Sequence, residues 1–250
     1  MQENKEIYNH SYRQFTPEYI QSKNISKIEQ YMQQNRDSLV RFLTSYQQQF
    51  DLTTKISKAS VLELGCGIGS FSFYLNEIFN EYQGIDISEL AIATASEVAK
   101  IKDKNLKLQV VDVCSDFELG RKFDFIIDSH LYHCLTQDNQ RQAYLDFVKR
   151  HLAPTGIFMA EMMVFWPKLQ APVGYEFDEN FVLHQSIGQY SYPIRKIARS
   201  IDIEQEMKAS KMNINYLYYH NELAFNPFSD YQSYPEQFLP RTLRLSSKLC

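Results

Sequence analysis

Long apolar runs are missing from this 250-residue chain, and with them any helical stretch able to cross roughly 30 Å of hydrocarbon. The opening Met1-Gln2-Glu3-Asn4-Lys5 is polar and lacks the apolar core of a secretory leader, so the expected location is cytoplasmic. Cysteine is sparse: Cys66, Cys114, Cys134 and Cys250 stand far apart with no C-x-x-C pair, which argues against a disulfide framework and a zinc site. Neither sign of charge dominates. The net charge of −4 weighs against a broad grip on a phosphate backbone, so neither nucleic acid nor membrane is expected as a partner. Glycine is scarce as well, eight in all, yet three of them fall on alternate positions at Gly65, Gly67 and Gly69.

That cluster organises the rest of the sequence. The apolar run from Ala59 to Leu64 reads as a buried strand that stops at Gly65. After the glycines, Phe71, Phe73, Tyr74, Leu75, Ile78 and Phe79 recur near the spacing of one helix face. The glycines therefore form the turn between a strand and a helix, where a missing Cβ lets a ligand approach the backbone. A dinucleotide fingerprint would place its third glycine three residues after the second; here Ser70 stands there instead.

Tyr82-Gln83-Gly84-Ile85-Asp86 is a second short strand ending in a carboxylate, and the spacing from Gly69 leaves room for one helix and a parallel return. A carboxylate at that strand end suits the vicinal hydroxyls of a ribose, with Ser88 as the competing cap of the next helix. Helix 88 to 102 leads to strand 106 to 111, then strand 123 to 128, where Asp124 is expected near the wet N-terminal edge. Helix 139 to 152 precedes the turn Pro154-Thr155-Gly156 and a fifth strand ending at Glu161. Strands and helices alternating from Val61 to Glu161 predict an α/β domain with a parallel sheet. Helix 200 to 212 and strands 213 to 220 and 239 to 249 complete the chain. At the start, one stripe of Ile25, Ile28, Tyr31 and Met32 and another of Leu39, Val40, Leu43, Tyr46 and Phe50 predict a pair of helices against the sheet.

The pattern Glu-x-Gly-x-Gly-x-Gly beginning at Glu63, followed by Asp86, Asp112 and the phrase Leu152-Ala153-Pro154-Thr155-Gly156, resembles the class I, Rossmann-like S-adenosylmethionine-dependent methyltransferases of small-molecule type. The resemblance spans residues 59 to about 164. It implies a Rossmann-like seven-stranded, mostly parallel sheet with helices on both faces, and a final antiparallel strand inserted beside the fifth. It also implies an N-terminal helical cap or lid over residues 1–57 and a methyltransferase domain over 58–250, with 162–195 as an inserted substrate cover after strand 5. The cofactor implied is S-adenosyl-L-methionine. Its implied contacts are Glu63, Gly65, Cys66, Gly67 and Gly69 at the turn, then Asp86 and Ile87. Asp112 and Val113 would meet the adenine, although Asp112 reads equally as the start of a turn. Asp128 and Ser129 follow, with Tyr8 and Tyr12 as lid residues.

The loop Asp128-Ser129-His130-Leu131-Tyr132-His133-Cys134-Leu135 leaves the strand expected beside the first, at the mouth where such sheets bind ligands. Methyl transfer to a protonated acceptor needs a base, and His130, then His133, are the candidates. The bland reading makes His133 a buried, backbone-bonded residue. A metal reading of His-x-x-His lacks an evident third ligand nearby, and no metal is expected. The expected acceptor is a small molecule, methylated on N or O. Aromatic residues of the cover favour an apolar one, while Glu161, Glu176, Asp178 and Glu179 leave room for a cationic amine. Two alternatives remain: an NAD(P)-dependent oxidoreductase, and a catalytically silent S-adenosylmethionine-binding protein acting through partners. The oligomeric state is not legible.

Overall fold

A computed structural model describes residues 25–225 and 234–250. The first predicted element differs in number. Ile25–Phe50 is one continuous helix of 26 residues, α1, followed by the short α2, Thr53–Ile56. Both apolar stripes lie on α1 because the polar stretch between them holds neither glycine nor proline to break it. Tyr8 and Tyr12 lie outside the described residues, so the lid expected of them is a matter for the sequence alone.

The remaining order is β1 Ser60–Leu64, α3 Ser72–Ile78, β2 Glu81–Asp86, α4 Glu89–Ile101, β3 Leu108–Val110 and β4 Phe123–Ser129. A 3-10 turn at Tyr132–Cys134 leads to α5 Asp138–His151, β5 Leu152–Val164, β6 Tyr175–Phe177, β7 Val182–Ile187 and β8 Tyr190–Lys196. Then come α6 Ser200–Ala209, β9 Met212–His220 and β10 Arg241–Leu249. Alternation lapses once: residues 111–122 join β3 to β4 without a helix, since Asp112 folds back on Ser115 and Gly120 takes a positive φ.

The main sheet has seven strands in the order β3-β2-β1-β4-β5-β10-β9. The first five run parallel, and β10 enters antiparallel between β5 and β9. This is a Rossmann-like, mostly parallel sheet. Side chains alternate across it as strand geometry requires. On one face Leu62, Leu64 and Ile126 meet Tyr144, Leu145 and Val148 of α5 and Ile203 and Met207 of α6. On the other, Val61, Phe125 and Ile127 meet Leu39, Phe42, Leu43 and Tyr46 of α1 and Leu75 of α3. Asp124 stays half-buried at the N-terminal edge, where its Oδ2 accepts from the backbone N–H and hydroxyl of Ser60, both at 2.9 Å.

Segment 162–195 departs from the parallel sheet after Val164. It contains a separate antiparallel sheet, β6-β7-β8, with its own core in which Met163, Leu183, Ile197, Leu223 and Phe225 meet. Among the described residues no helix is long and apolar enough to cross a membrane.

Candidate functional site

Strand β1 ends at Leu64, and the next turns require three left-handed residues: φ is 70° at Gly65, 52° at Gly67 and 88° at Gly69. At Gly65 a Cβ would also stand 2.9 Å from the Cβ of Leu131, so the post-β4 loop can close onto β1 only over a glycine. The turn is fastened to the neighbouring strand. The backbone N–H groups of Gly65 and Cys66 donate to the carbonyl of Ile85, and the N–H of Gly67 donates to Asp86 Oδ2 at 2.9 Å.

Asp86 is thus held from two sides, because its Oδ1 accepts the backbone N–H of Ser88 at 2.8 Å. Ser88 in turn caps α4, its hydroxyl accepting from the N–H of Ala91. Burial pushes the Asp86 carboxyl up, and the surrounding backbone N–H groups partly offset that. An ionised carboxylate offers roughly four acceptor positions, so one remains beyond the backbone N–H groups of Ser88, Gly67 and Ile87.

Asp86 opens onto a cleft of about 410 Å³ at the carboxyl ends of β1 to β4. Of the expected residues, Gly65, Asp86, Ile87, Asp112, Val113, Ser129 and His130 line it. Asp112 starts a turn, its Oδ1 accepting the N–H of Cys114 at 2.8 Å, and it also lines the cleft. Cys66, Gly67, Gly69, Glu63, Asp128 and His133 stand outside the lining. Leu131, Cys134, Leu135, Gln140 and Ala143 form the far wall and were missed in the sequence. They sit in a loop and on the start of a helix, and their residue types carry no signal of a ligand.

Glu63 is fully buried and spends its carboxylate inside the protein. Oε2 accepts from Tyr82 at 2.6 Å and Ser72 at 2.7 Å, and Oε1 accepts from Ser129 at 2.8 Å. It ties β1 to β2, α3 and β4. Burial raises its pKa to about 6 against the pull of those three hydroxyls. Folding therefore favours the protonated form; the contribution is complete below the ordinary value of 4.5 and lost as pH rises through about 6. Glu63→Gln should remove a loss on the order of 2 kcal/mol between those pH values. Urea unfolding of both proteins at pH 4.5 and 7 checks this, and parallel pH profiles would contradict it.

Asp128 is likewise turned inward. Its Oδ1 accepts the N–H of Leu131 at 2.8 Å, and its Oδ2 accepts the N–H of Tyr132 at 2.9 Å and the hydroxyl of Tyr144 at 2.6 Å. Burial raises it to about 6. Its work is to wind the post-β4 loop into a turn, which aims His130 at the cleft.

His130 itself takes φ 67°. Its ring stacks on Phe225 at 3.8 Å with a 15° interplanar angle, and its Nε2 lies 2.8 Å from Glu161 Oε1. Glu161 is fully buried; its Oε2 accepts from Arg244 Nε at 2.6 Å and Ser38 Oγ at 2.8 Å. Burial alone would raise this carboxyl, but the hydrogen bond and charge of His130 and the Arg244 guanidinium prevail and bring it to about 2. An ionised carboxylate only accepts, so Nε2 of His130 is the donor in this bond. Glu161 is thereby committed to the protein and unavailable to hold a cationic amine, contrary to one sequence expectation.

His133, the second histidine candidate, is buried and faces inward. Burial, then the charges of Arg195, His130 and Arg141, hold its pKa well below the ordinary value, and its Nδ1 has no partner among the described residues. The ring is a neutral wall beside Phe225 at 5.9 Å. It stands outside the cleft and does not share His130's place there.

Residues 62–158 match the family model described as a methyltransferase domain. Among solved structures, an S-adenosylmethionine-dependent methyltransferase from Clostridium acetobutylicum superposes with a TM-score of 0.63 at 16% identity, over 86% of this chain and 92% of that one. The PH0226 protein from Pyrococcus horikoshii gives 0.58 at 19% identity, over 84% and 91%. The glycopeptide N-methyltransferase MtfA, solved with S-adenosyl-L-homocysteine, gives 0.54 at 16% identity, over 83% and 90%. At such identities the likeness establishes a shared fold.

Proposed function

We propose, from the match of residues 62–158 to the methyltransferase-domain family model, that the protein is an enzyme that takes S-adenosyl-L-methionine into the cleft of β1 to β4. The methyl group passes to an N or O atom of a small molecule. The observation that carries this reading is Asp86, a strand-end carboxylate that pins the glycine turn through Gly67 and still faces the cleft.

The residues present fit the cofactor. Asp86 keeps acceptor capacity for a ribose hydroxyl, Ile87, Val113 and Leu135 offer apolar walls for a flat base, and Gly65 brings bare backbone to the rim. The cofactor, when bound, supplies a methyl group already activated on a sulfonium. What is asked of the protein is orientation and proton removal, and orientation can supply roughly 7–11 kcal/mol of a barrier. To His130 we assign proton removal, since its Nε2 bond to Glu161 holds the ring and would leave Nδ1 as the acceptor of the neutral tautomer. Glu63 and Asp128 act at one remove, by fixing the turn and the loop.

Asp86→Ala should weaken S-adenosyl-L-methionine binding by about 1.5–3 kcal/mol, the worth of hydrogen bonds to a charged group. Calorimetric titration of wild type and variant with S-adenosyl-L-methionine and with NAD is the test. Unchanged affinity in the variant contradicts the ribose assignment. Tight NAD binding without S-adenosyl-L-methionine binding would replace the enzyme proposed here with an oxidoreductase.

A further inference from the structure

Glu161 stands where distant parts of the chain meet. In the sheet it lies between Ser129 of β4 and Arg244 of β10, and strand alternation sends its side chain to the same face as Ile157 and Met159, the face covered by α1. Its two oxygens serve different partners. Oε2 accepts from Arg244 Nε at 2.6 Å and from Ser38 Oγ at 2.8 Å, while Oε1 lies 2.8 Å from His130 Nε2. Arg244 and Ser38 are also bonded to each other, since Arg244 Nη2 donates to the carbonyl and the hydroxyl oxygen of Ser38, both at 3.0 Å. Ser38, Glu161 and Arg244 are all buried, so salt screens these charges poorly.

Such an arrangement fixes more than the angle of a ring. A lone carboxylate beside an imidazole favours the protonated ring by roughly 1–3 pH units, and a protonated ring cannot take another proton. A guanidinium on the far oxygen balances that charge. A hydroxyl donated to the same oxygen acts in the same sense, because it stabilises the carboxylate without a proton from the ring. Other titratable groups face the pair, Asp128 from the end of β4, His133 from the 3-10 turn and His220 from β9. Arg195 acts in turn on His133, and Arg41 and Glu222 on His220.

We propose that Arg244 and Ser38 are positioning residues for His130: by occupying Oε2 of Glu161 they leave Oε1 to Nε2, and the guanidinium keeps the carboxylate from holding the ring protonated. Neither residue lines the cleft, and both fall outside the stretch matched to the methyltransferase domain. The two ends of the chain, α1 and β10, thereby set the state of a group in the middle. The inference rests on His130 as the proton acceptor of the methyltransferase reading and says what keeps it able to accept.

The test is histidine-nitrogen NMR on the ring-labelled full chain, with the His130 signals assigned by their loss in His130→Gln. It needs neither cofactor nor methyl acceptor. In Arg244→Gln, which keeps a donor and loses the charge, the protonation midpoint of His130 is expected to rise by about one pH unit. Arg244→Lys restores the charge and should bring the midpoint back to within about 0.3 unit of wild type. Ser38→Ala should raise it by about half a unit, and Glu161→Gln should lower it. A role confined to folding would lower melting temperatures without ordering the midpoints by charge. Coincident midpoints in Arg244→Gln and Arg244→Lys, a midpoint that stays or falls in Ser38→Ala, or a neutral wild-type ring protonated on Nδ1 would overturn the inference. If Arg244→Gln does not fold, the opposite shifts of Ser38→Ala and Glu161→Gln decide. Any of these failures leaves the methyltransferase reading in place, whereas S-adenosyl-L-homocysteine failing to bind wild type in calorimetry would remove that reading and leave the charge balance standing.

Discussion

Glu161→Gln is expected to lower the stability of the fold by about 3–5 kcal/mol, the cost of leaving a buried charge without its partner. Arg244 is itself buried, and the amide that replaces the carboxylate cannot neutralise it. Ser38 and its carbonyl, which also accept from Arg244 at 3.0 Å, hold the guanidinium in place but carry no charge. For a chain of this length roughly 2–4 °C of melting temperature accompanies each kcal/mol, so a fall on the order of 10 °C is anticipated. The double variant Glu161→Gln with Arg244→Met should recover part of that loss, since it removes the orphaned charge instead of exposing it. A single variant melting within about 2 °C of wild type would show the ion pair to be neutral for folding.

The same pair predicts behaviour in acid. The folded-state pKa of Glu161, about 2, lies below its ordinary 4.5. Its contribution to stability is therefore present above pH 4.5 and lost as pH falls through about 2. Glu63 and Asp128 act in the opposite sense at higher pH, because both are raised to about 6. A melting temperature that passes through a maximum on the acid side of neutrality is the joint expectation.

His130→Gln is expected to slow methyl transfer about 10²- to 10⁴-fold, the usual contribution of a positioned base. Glutamine can still donate to Glu161, so the loop and the ion pair should survive the change, whereas the acceptor at Nδ1 is lost. The readout is single-turnover transfer from labelled S-adenosyl-L-methionine, with S-adenosyl-L-homocysteine affinity and melting temperature as controls. Binding and melting that hold while the rate falls identify a proton acceptor. A rate within about threefold of wild type would mean that positioning suffices and that the acceptor is already deprotonated.

Much of the architecture could be read from short-range features. The glycines at 65, 67 and 69, the short apolar runs of β1, β2 and β4, and the cap at Ser88 each act over a few residues, and each appears in the structure where the sequence put it. The insertion of a final antiparallel strand beside β5 also followed from the family resemblance. The number of N-terminal helices did not follow, because a polar interval between two apolar stripes looks like a boundary until nothing is found to break the helix.

At the site, residue type identified which groups could do chemistry but not which way they face. Glu63, Asp128 and His133 carry the right functional groups in the right segments, yet their lone pairs and ring are directed into the protein. Glu161 read as a free carboxylate for an amine and proved to be the support of His130.

The sequence by itself determined the strand-turn-helix core and the place of Asp86 at a strand end, because backbone conformation there answers to neighbours within one or two turns. Tertiary structure alone decided the electrostatics. Glu161 meets Arg244 because β10 slides between β5 and β9 in a register that sets those two residues opposite each other. A buried charge is stabilised by whichever partner the sheet order brings within hydrogen-bonding range, and no local pattern in the chain encodes that distance.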